Sequence, residues 1–263
     1  IDYSIMIVLL SPAKTLDFES EAVTSSASQP EFLEEASQLI AKLKKLSSKQ
    51  IQSLMSVNPD IAELNVQRFQ TWETPFHNGN AKQAMLSFTG EVYRGLNANT
   101  FNEPDFEFAQ AHIRILSGLY GVLKPLDLIQ PYRLEMGTSL KYSAKVSNLY
   151  QFWGDKIKDY FESENIENQA IINLSSNEYF KSIRPKEIKN RIIHCHFKDF
   201  KNGEYKMLMT YAKNARGAMA RYIVKNQIES IEGLKGFDLN GYSFNANLSD
   251  ETNFTFTRDQ ILN

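Results

Sequence analysis

A chain of 263 residues, 42% hydrophobic and 23% charged, is long enough to bury its own core without a disulfide framework or a structural metal. Its single cysteine, Cys195, excludes an intrachain disulfide and suits a reducing compartment, and its longest apolar run, residues 5–10, is far too short to span a bilayer. The formal net charge of −2 says little about partners, but its distribution says more: residues 181–225 carry twelve basic side chains against three acidic ones, whereas residues 1–113 carry eight against fourteen. A basic block of that kind is the electrostatic footprint of a polyanion site.

From the N-terminus, the segment MIVLL (6–10) predicts a short buried strand that ends in the polar loop SPAKTL. No basic segment precedes it, so it is not a signal peptide, and residues 1–5 are expected to be an artificial leader ahead of a natural start at Met6. A Ser/Thr-rich loop over 22–29 leads to a helix over 30–46, with Pro30 in its first turn. Ser47 or Ser48 opens a helix over 49–56, and Asp60 opens another over 61–69. Further helices are predicted over 80–88 and 105–116; in the second, Phe106, Ala109, Ile113 and Leu116 form one stripe at helical spacing.

Residues 116–137, LSGLYGVLKPLDLIQPYRLEMG, are heavily punctuated. Gly118 and Gly121 between apolar residues, after a helix, resemble the hairpin of a helix-hairpin-helix motif, in which a tight turn bares backbone amides toward a phosphate. The spacing is one residue longer than usual, and Pro125 and Pro131 shorten any second helix; a helix C-cap at Gly118 with a turn at Gly121 is the plainer alternative. In an extended 127–137 segment, Arg133 and Glu135 point to the same side and can pair or share a pocket.

Residues 149–161 read as a helix and AIINL (170–174) as a buried strand. Ser175 with Glu178 three residues on forms a capping-box pattern, so a helix is predicted to start there. Strands over 191–197 and 204–211 are joined by Lys201-Asn202-Gly203, whose Asn-Gly pair marks a hairpin. A helix over 212–227 follows, with Lys213, Arg216, Arg221 and Lys225 along a basic side that also holds Gly217, and the alternating 242–244 and 254–256 stretches form a terminal hairpin. These elements predict one mixed α/β domain over 6–263, with an irregular mixed sheet flanked by helices and not doubly wound.

Lys14 and residues 178–181 follow predicted strands, where ligand sites of open α/β sheets gather. SPAKT lacks the glycines of a P-loop, so no nucleotide triphosphate site of that kind is expected. His194 and His196 share one strand face and offer only two metal ligands, and Cys195 lies within a strand, so neither a metal site nor a thiol nucleophile is expected.

The blocks IVLLSPAKTLDF, FTGEVYRGL, LSGLYGVLKPLDLIQPYRLEMG, NLYQFWGD, INLSSNEYFKS and YAKNARGAMARYI together resemble the peroxide stress protein family typified by YaaA, also known as DUF328 or UPF0246. The resemblance runs from Met6 to about Phe256. It implies a bacterial, cytoplasmic protein of the hydrogen peroxide stress response that limits free intracellular iron and the DNA damage iron promotes. It also implies an unusual mixed α/β fold with a helix-hairpin-helix-like element and a basic cleft, and DNA as the molecular partner. No settled reaction comes with it.

The leading expectation is therefore a monomeric, cytoplasmic binder of double-stranded or structured DNA, with no cofactor, metal or membrane attachment. Lys14, Gly118, Gly121, Lys124, Arg133, Lys181, Lys213, Arg216 and Arg221 are its predicted contacts. The alternative is an enzyme acting on a small-molecule nucleotide or a nucleic-acid base, with Glu135, Glu178 and Lys14 as candidate catalytic groups. Direct iron sequestration fits the stress role, but no run with iron-ligand spacing is present.

Overall fold

The computed structural model describes residues 6–163, 166 and 168–260, so the expected leader over 1–5 lies outside the described residues. The chain begins with β1 (Met6–Leu10), β2 (Thr15–Leu16) and three helices, α1 (Leu33–Leu43), α2 (Ser48–Met55) and α3 (Pro59–Thr71). Short elements follow: β3 (Lys82–Gln83), α4 (Ala84–Ser87), β4 (Phe88–Thr89) and α5 (Glu91–Leu96). The middle holds α6 (Glu103–His112), β5 (Ile113–Ser117), β6 (Gly121–Leu123), β7 (Leu128–Ile129), α7 (Leu149–Trp153) and α8 (Lys156–Phe161). The last part runs β8 (Ala170–Asn173), α9 (Asn177–Phe180), β9 (Ile192–Lys201), β10 (Glu204–Lys206), α10 (Met209–Lys225), β11 (Ser243–Phe244) and β12 (Asn253–Arg258).

The main sheet has the order β11-β12-β9-β8-β1-β5-β6, with β10 added to β9. Strands β12, β9, β8, β1 and β5 are parallel, while β6, β10 and β11 pair antiparallel, so the sheet is mixed as expected. Its central strand β1 is buried at all five positions, as a strand covered on both faces must be. Leu9 pairs with Asn173 and Leu10 with Ile115, so β1, β8 and β5 end at about the same level. β9 does not stop there. His194 pairs with Asn173, and seven more residues to Lys201 carry the strand about 23 Å beyond the end of β8 at about 3.3 Å per residue.

Local chemistry explains most boundaries. Ser47 and Gln50 form a reciprocal capping box for α2, Asn58 accepts from the Ile61 amide ahead of Pro59 in α3, and Asn102 with Asp105 caps α6. Asn202 and Gly203 turn with φ of 57° and 85°, as the predicted Asn-Gly hairpin requires, and Phe244 pairs with Phe256 in the terminal hairpin. Several expectations fail: the strand over 204–211 stops at Lys206 with α10 starting at Met209, and 80–88 holds β3, α4 and the start of β4 in place of one helix. The helix predicted over 105–116 ends at His112, and Ile113 enters β5 directly, because Ile113, Ile115 and Leu116 are buried in the sheet. The helix over 149–161 breaks at Gly154, whose φ is +50°. Ser175 caps nothing: its Oγ donates to Asn173 Oδ1, and α9 starts after Ser176.

Residues 116–123 are not a helix-hairpin-helix element. They form the tight β5–β6 turn, in which Gly121 has φ +67° and the Tyr120 amide donates to Ser117 Oγ. A Cβ on Gly118 would lie 2.3 Å from the Leu134 carbonyl oxygen, and one on Gly121 2.8 Å from the Trp153 ring, so the two glycines admit close packing. The turn is buried throughout and offers no amides to a solvent-side phosphate.

Helix α10 packs chiefly on α5 and on β9. Gly217 permits this contact: a Cβ there would lie 1.7 Å from the Val92 carbonyl oxygen. At the far end of β9, Asp199 is fully buried, accepts from Arg258 Nε at 2.7 Å, and also accepts from the Tyr242 hydroxyl. This pair joins β9 to β12 and to the segment before β11.

Two predictions arise from the packing. Alanine favours a helix interior over glycine by about 1 kcal/mol, yet Gly217→Ala is expected to destabilise the protein by about 3 kcal/mol through overpacking, read by urea denaturation. Burial holds the Asp127 carboxyl up at about 6, against hydrogen bonds from Ser28 Oγ and the Lys124 amide that pull it down. A carboxyl raised by folding favours the folded state while protonated, so Asp127's contribution of about 3 kcal/mol is present below pH 4 and lost as pH rises through 6. Asp127→Asn should flatten the stability–pH profile between pH 4 and 6; an unchanged slope would contradict the assignment.

Candidate nucleic-acid interface

The level ends of β1, β5 and β8 form an edge from which three connections leave. Ser11, directly after β1, accepts from the Ser176 amide through its Oγ at 2.8 Å and from the Tyr93 hydroxyl through its carbonyl at 3.0 Å. One residue thus joins β1 to the start of α9 and to α5. The loop beyond it is fixed by β2–β4 pairing and by Asp17, whose carboxyl is held down at about 2, chiefly by the Ser20 amide. Lys82, almost fully buried, donates to the Asp17 and Ser20 carbonyls and closes the same loop.

Lys14 extends from this loop to Glu135, with Nζ 3.0 Å from Oε2, and Arg133 Nη2 lies 3.4 Å from Oε1 of the same carboxylate. The expected same-side placement of Arg133 and Glu135 is correct, and Lys14 completes the cluster. Glu178 joins from the β8 side: its carboxylate accepts from the Gly137 amide at 2.9 Å, and its carbonyl accepts from the Tyr150 hydroxyl. Below them Tyr93, Tyr132 and Tyr179 come together. Burial foremost, and then the neighbouring phenols, raise the Tyr93 hydroxyl well above its ordinary range, and burial also raises Tyr132 and Tyr179. Tyr132 shares a 2.6 Å hydrogen bond with Ser117 at the end of β5. The floor is therefore neutral and hydrogen-bonded, and the charges lie above it.

The basic residues of 181–225 partly converge on this edge. Lys181 is exposed just after α9. Along β9, His194, His196, Lys198 and Phe200 alternate with buried Cys195, Phe197 and Asp199; His194 packs its ring on Phe180 of α9, and Phe200 packs on Tyr205 of β10. The overhanging β9–β10 hairpin thus carries a basic and aromatic face away from the edge. On α10, the exposed Lys213 directly precedes Asn214, whose side-chain amide lies 3.5 Å from Glu91 of α5. Arg216 lies against Cys195; burial lowers its pKa, and the same burial raises the thiol to about 12, which leaves Cys195 a packing residue.

Other predicted contacts are not on this edge. Lys124 follows β6, which runs antiparallel to β5, so it lies at the opposite edge beside Arg114, Lys156 and Tyr160. Arg221 is taken up by structure, donating to the Leu96 and Asn97 carbonyls and Thr100 Oγ1 and lying over the Phe101 ring. Gly118 and Gly121 are buried, as described above. The sequence reading also missed Arg68, half-buried on α3, which no motif marks. Among the described residues, no three His, Cys, Asp or Glu side chains are grouped so as to hold a metal ion, and no helix is long and apolar enough to cross a membrane.

Comparison with known proteins agrees with this arrangement of blocks. The sequence model of peroxide stress protein YaaA matches residues 6–248. A UPF0246 protein of Colwellia psychrerythraea is 51% identical over 257 residues, covering 97% of this chain and 100% of its own length. A UPF0246 protein of Aliivibrio fischeri is 49% identical over 257 residues, covering 97% of this chain and 99% of its own. By its motifs and by full-length similarity, the chain belongs to the peroxide stress protein YaaA family.

Proposed function

We propose that this protein serves the peroxide stress response by binding double-stranded or structured DNA in the bacterial cytoplasm, through the cationic edge and the overhanging β9–β10 hairpin. The observation that carries the reading is the set of cations without an acidic partner there. Among the described residues, Lys181, Lys198, Lys201, Lys213 and Arg216 have no carboxylate within salt-bridge distance, while Arg221, Lys225 and Arg258 of the same chain are bound into packing contacts. Unpaired lysines such as Lys181, Lys198 and Lys213 suit a phosphodiester backbone, whose charge supplies most non-specific affinity. The β9–β10 hairpin adds Phe200 and Tyr205, and β-ribbons of this kind enter DNA grooves.

The position of Glu135 supports contact with backbone in preference to bases. Its carboxylate holds Lys14 and Arg133 in place while leaving each cation further hydrogen bonds to donate. Limiting free iron belongs to the same proposal. Ferrous ion collects in the counterion atmosphere of DNA, and a protein that neutralises phosphates displaces those counterions from the place where peroxide would convert them to damaging oxidants.

Salt and charge tests address this directly. Affinity for a short duplex should fall steeply as salt rises from about 50 to 200 mM, with a log–log slope of about −0.9 per phosphate neutralised. A double Lys198→Ala, Lys213→Ala variant should flatten that slope by about 2; a salt-independent affinity would overturn the reading. Glu135→Gln releases two cations from one carboxylate, and should bind duplex DNA several-fold more tightly than wild type in fluorescence anisotropy. Weaker binding would mean that Glu135 positions the cations in a way their own charge cannot replace.

A further inference from the structure

Arg68 and Arg133 come from helix α3 and from the segment after β7, and a reciprocal hydrogen-bond pair brings them together. The Glu73 amide donates to Gln130 Oε1 at 3.0 Å, and Gln130 Nε2 donates back to the Glu73 carbonyl at 3.0 Å. Trp72 Nε1 and the Gln130 amide both donate to the buried Tyr120 hydroxyl, at 3.0 and 3.2 Å. The end of α3 is thereby locked to residues 130–133. Arg68 lies one helical turn before Trp72 and on the same side of the helix. Its pKa is lowered, first by burial and then by the guanidinium of Arg133.

Two largely enclosed guanidiniums near one another are electrostatically unfavourable, and the surroundings compensate little. Among the described residues Arg68 makes no side-chain hydrogen bond or ion pair. Arg133 is only 17% exposed, and its Nε is buried without an acceptor. Among the described residues the one carboxylate within reach of Arg133 is Glu135, at 3.4 Å, and Lys14 shares it. Glu178, the other carboxylate of the edge, is turned to the Gly137 amide. Lys14 and Arg133 thus share one anion while Arg68 beside them has none, which leaves three cations against one carboxylate and the Arg68 fork free.

We infer that Arg68, Arg133 and Lys14 form a site for a phosphomonoester dianion, the terminal phosphate of a nucleotide or of a nucleic-acid strand. The inference deepens the DNA reading and rests on it in part, because Lys14 and Arg133 serve both. A surplus of two positive charges matches a dianion better than the single charge of an internal phosphodiester. Arginine forks bind phosphate oxygens two at a time, and a monoester presents three terminal oxygens, enough for both forks. A terminal phosphate carries a single ester group and enters a crowded site more readily than a phosphate flanked by two sugars. The anion would also relieve the repulsion between the two guanidiniums.

The test compares two short duplexes of one sequence, labelled at the 3′ end, one with 5′-phosphate and one with 5′-hydroxyl ends. Wild type should bind the phosphorylated duplex about tenfold more tightly, a difference of one added charge-assisted contact. The preference should shrink below pH 6, where the monoester loses its second charge. Arg68→Met keeps the apolar stem, and should erase the preference while its melting temperature stays level or rises. Arg68→Lys, which keeps the charge and loses the fork, should retain only part of it. Inorganic phosphate at about 10 mM should raise the melting temperature of wild type and not of Arg68→Met.

A phosphate-dependent rise with equal binding of both duplexes keeps the site and assigns it to free phosphate or a nucleotide. Loss of salt-dependent affinity for both duplexes, with the phosphate effect intact, overturns the DNA reading and leaves the site standing. The inference falls if phosphate leaves wild type unmoved and both duplexes bind alike, or if Arg68→Met responds to phosphate as wild type does.

Discussion

Where β1 stops decides where everything charged can be. Its five residues are sealed between β5 and β8, and each buried aliphatic side chain there is worth about 1.5–3 kcal/mol, so the register of the strand is not negotiable. A slip of one residue would draw polar Ser11 into the sealed stretch or leave one of the five apolar residues outside it. With β1 fixed, Ser11 falls level with the ends of β5 and β8, and its two hydrogen bonds place α5 and α9 on either side of the edge. Lys14 is three residues further on. The cluster it forms with Glu135 and Arg133 is thus a consequence of core packing at a distance, and not of any local motif around the charges.

The chain also separates its cations by use. Arg114 donates to three backbone carbonyls and the Tyr160 hydroxyl, Lys82 to two carbonyls, and Arg258 to a buried carboxylate. These are fold-forming contacts, in which a charge satisfies backbone groups that would otherwise be buried unpaired. Among the described residues Lys181, Lys198, Lys201 and Lys213 lack such partners, and the segment that supplies them, residues 181–225, threads through β9, β10 and α10. Net charge near zero conceals this division, because acidic residues concentrate in the N-terminal part of the chain.

Much of this was legible in the sequence where a signal is local. Strand β1, strand β8, the Asn202-Gly203 turn and the terminal strand pair all follow from apolar runs, alternation and turn chemistry. The pairing of Arg133 with Glu135 follows from the two-residue period of extended chain. What failed depended on tertiary context. The stripe Phe106, Ala109, Ile113 and Leu116 fits a single helix by spacing, and only the presence of β1 beside Ile113 makes the second half a strand. Gly118-Leu119-Tyr120-Gly121 has turn chemistry in either reading, and burial against Leu134 and Trp153 decides it. Glu178 matches a capping residue, yet it is drawn to the Gly137 amide, 41 residues away. Arg68 had no signal at all, since its neighbour is set by Glu73 and Gln130, which are 57 residues apart.

The buried pair of Asp199 and Arg258 spans 59 residues of chain. At a synthesis rate of about 5–20 residues per second, Asp199 leaves the ribosome some seconds before its counter-charge exists. Until β12 arrives and inserts beside β9, the outer half of the sheet holds a carboxylate without its guanidinium partner, which water must keep hydrated. The outer part of the sheet is therefore completed last, after translation has delivered its final strand, and a prematurely terminated chain would carry an open, solvated sheet edge for quality-control proteases to find.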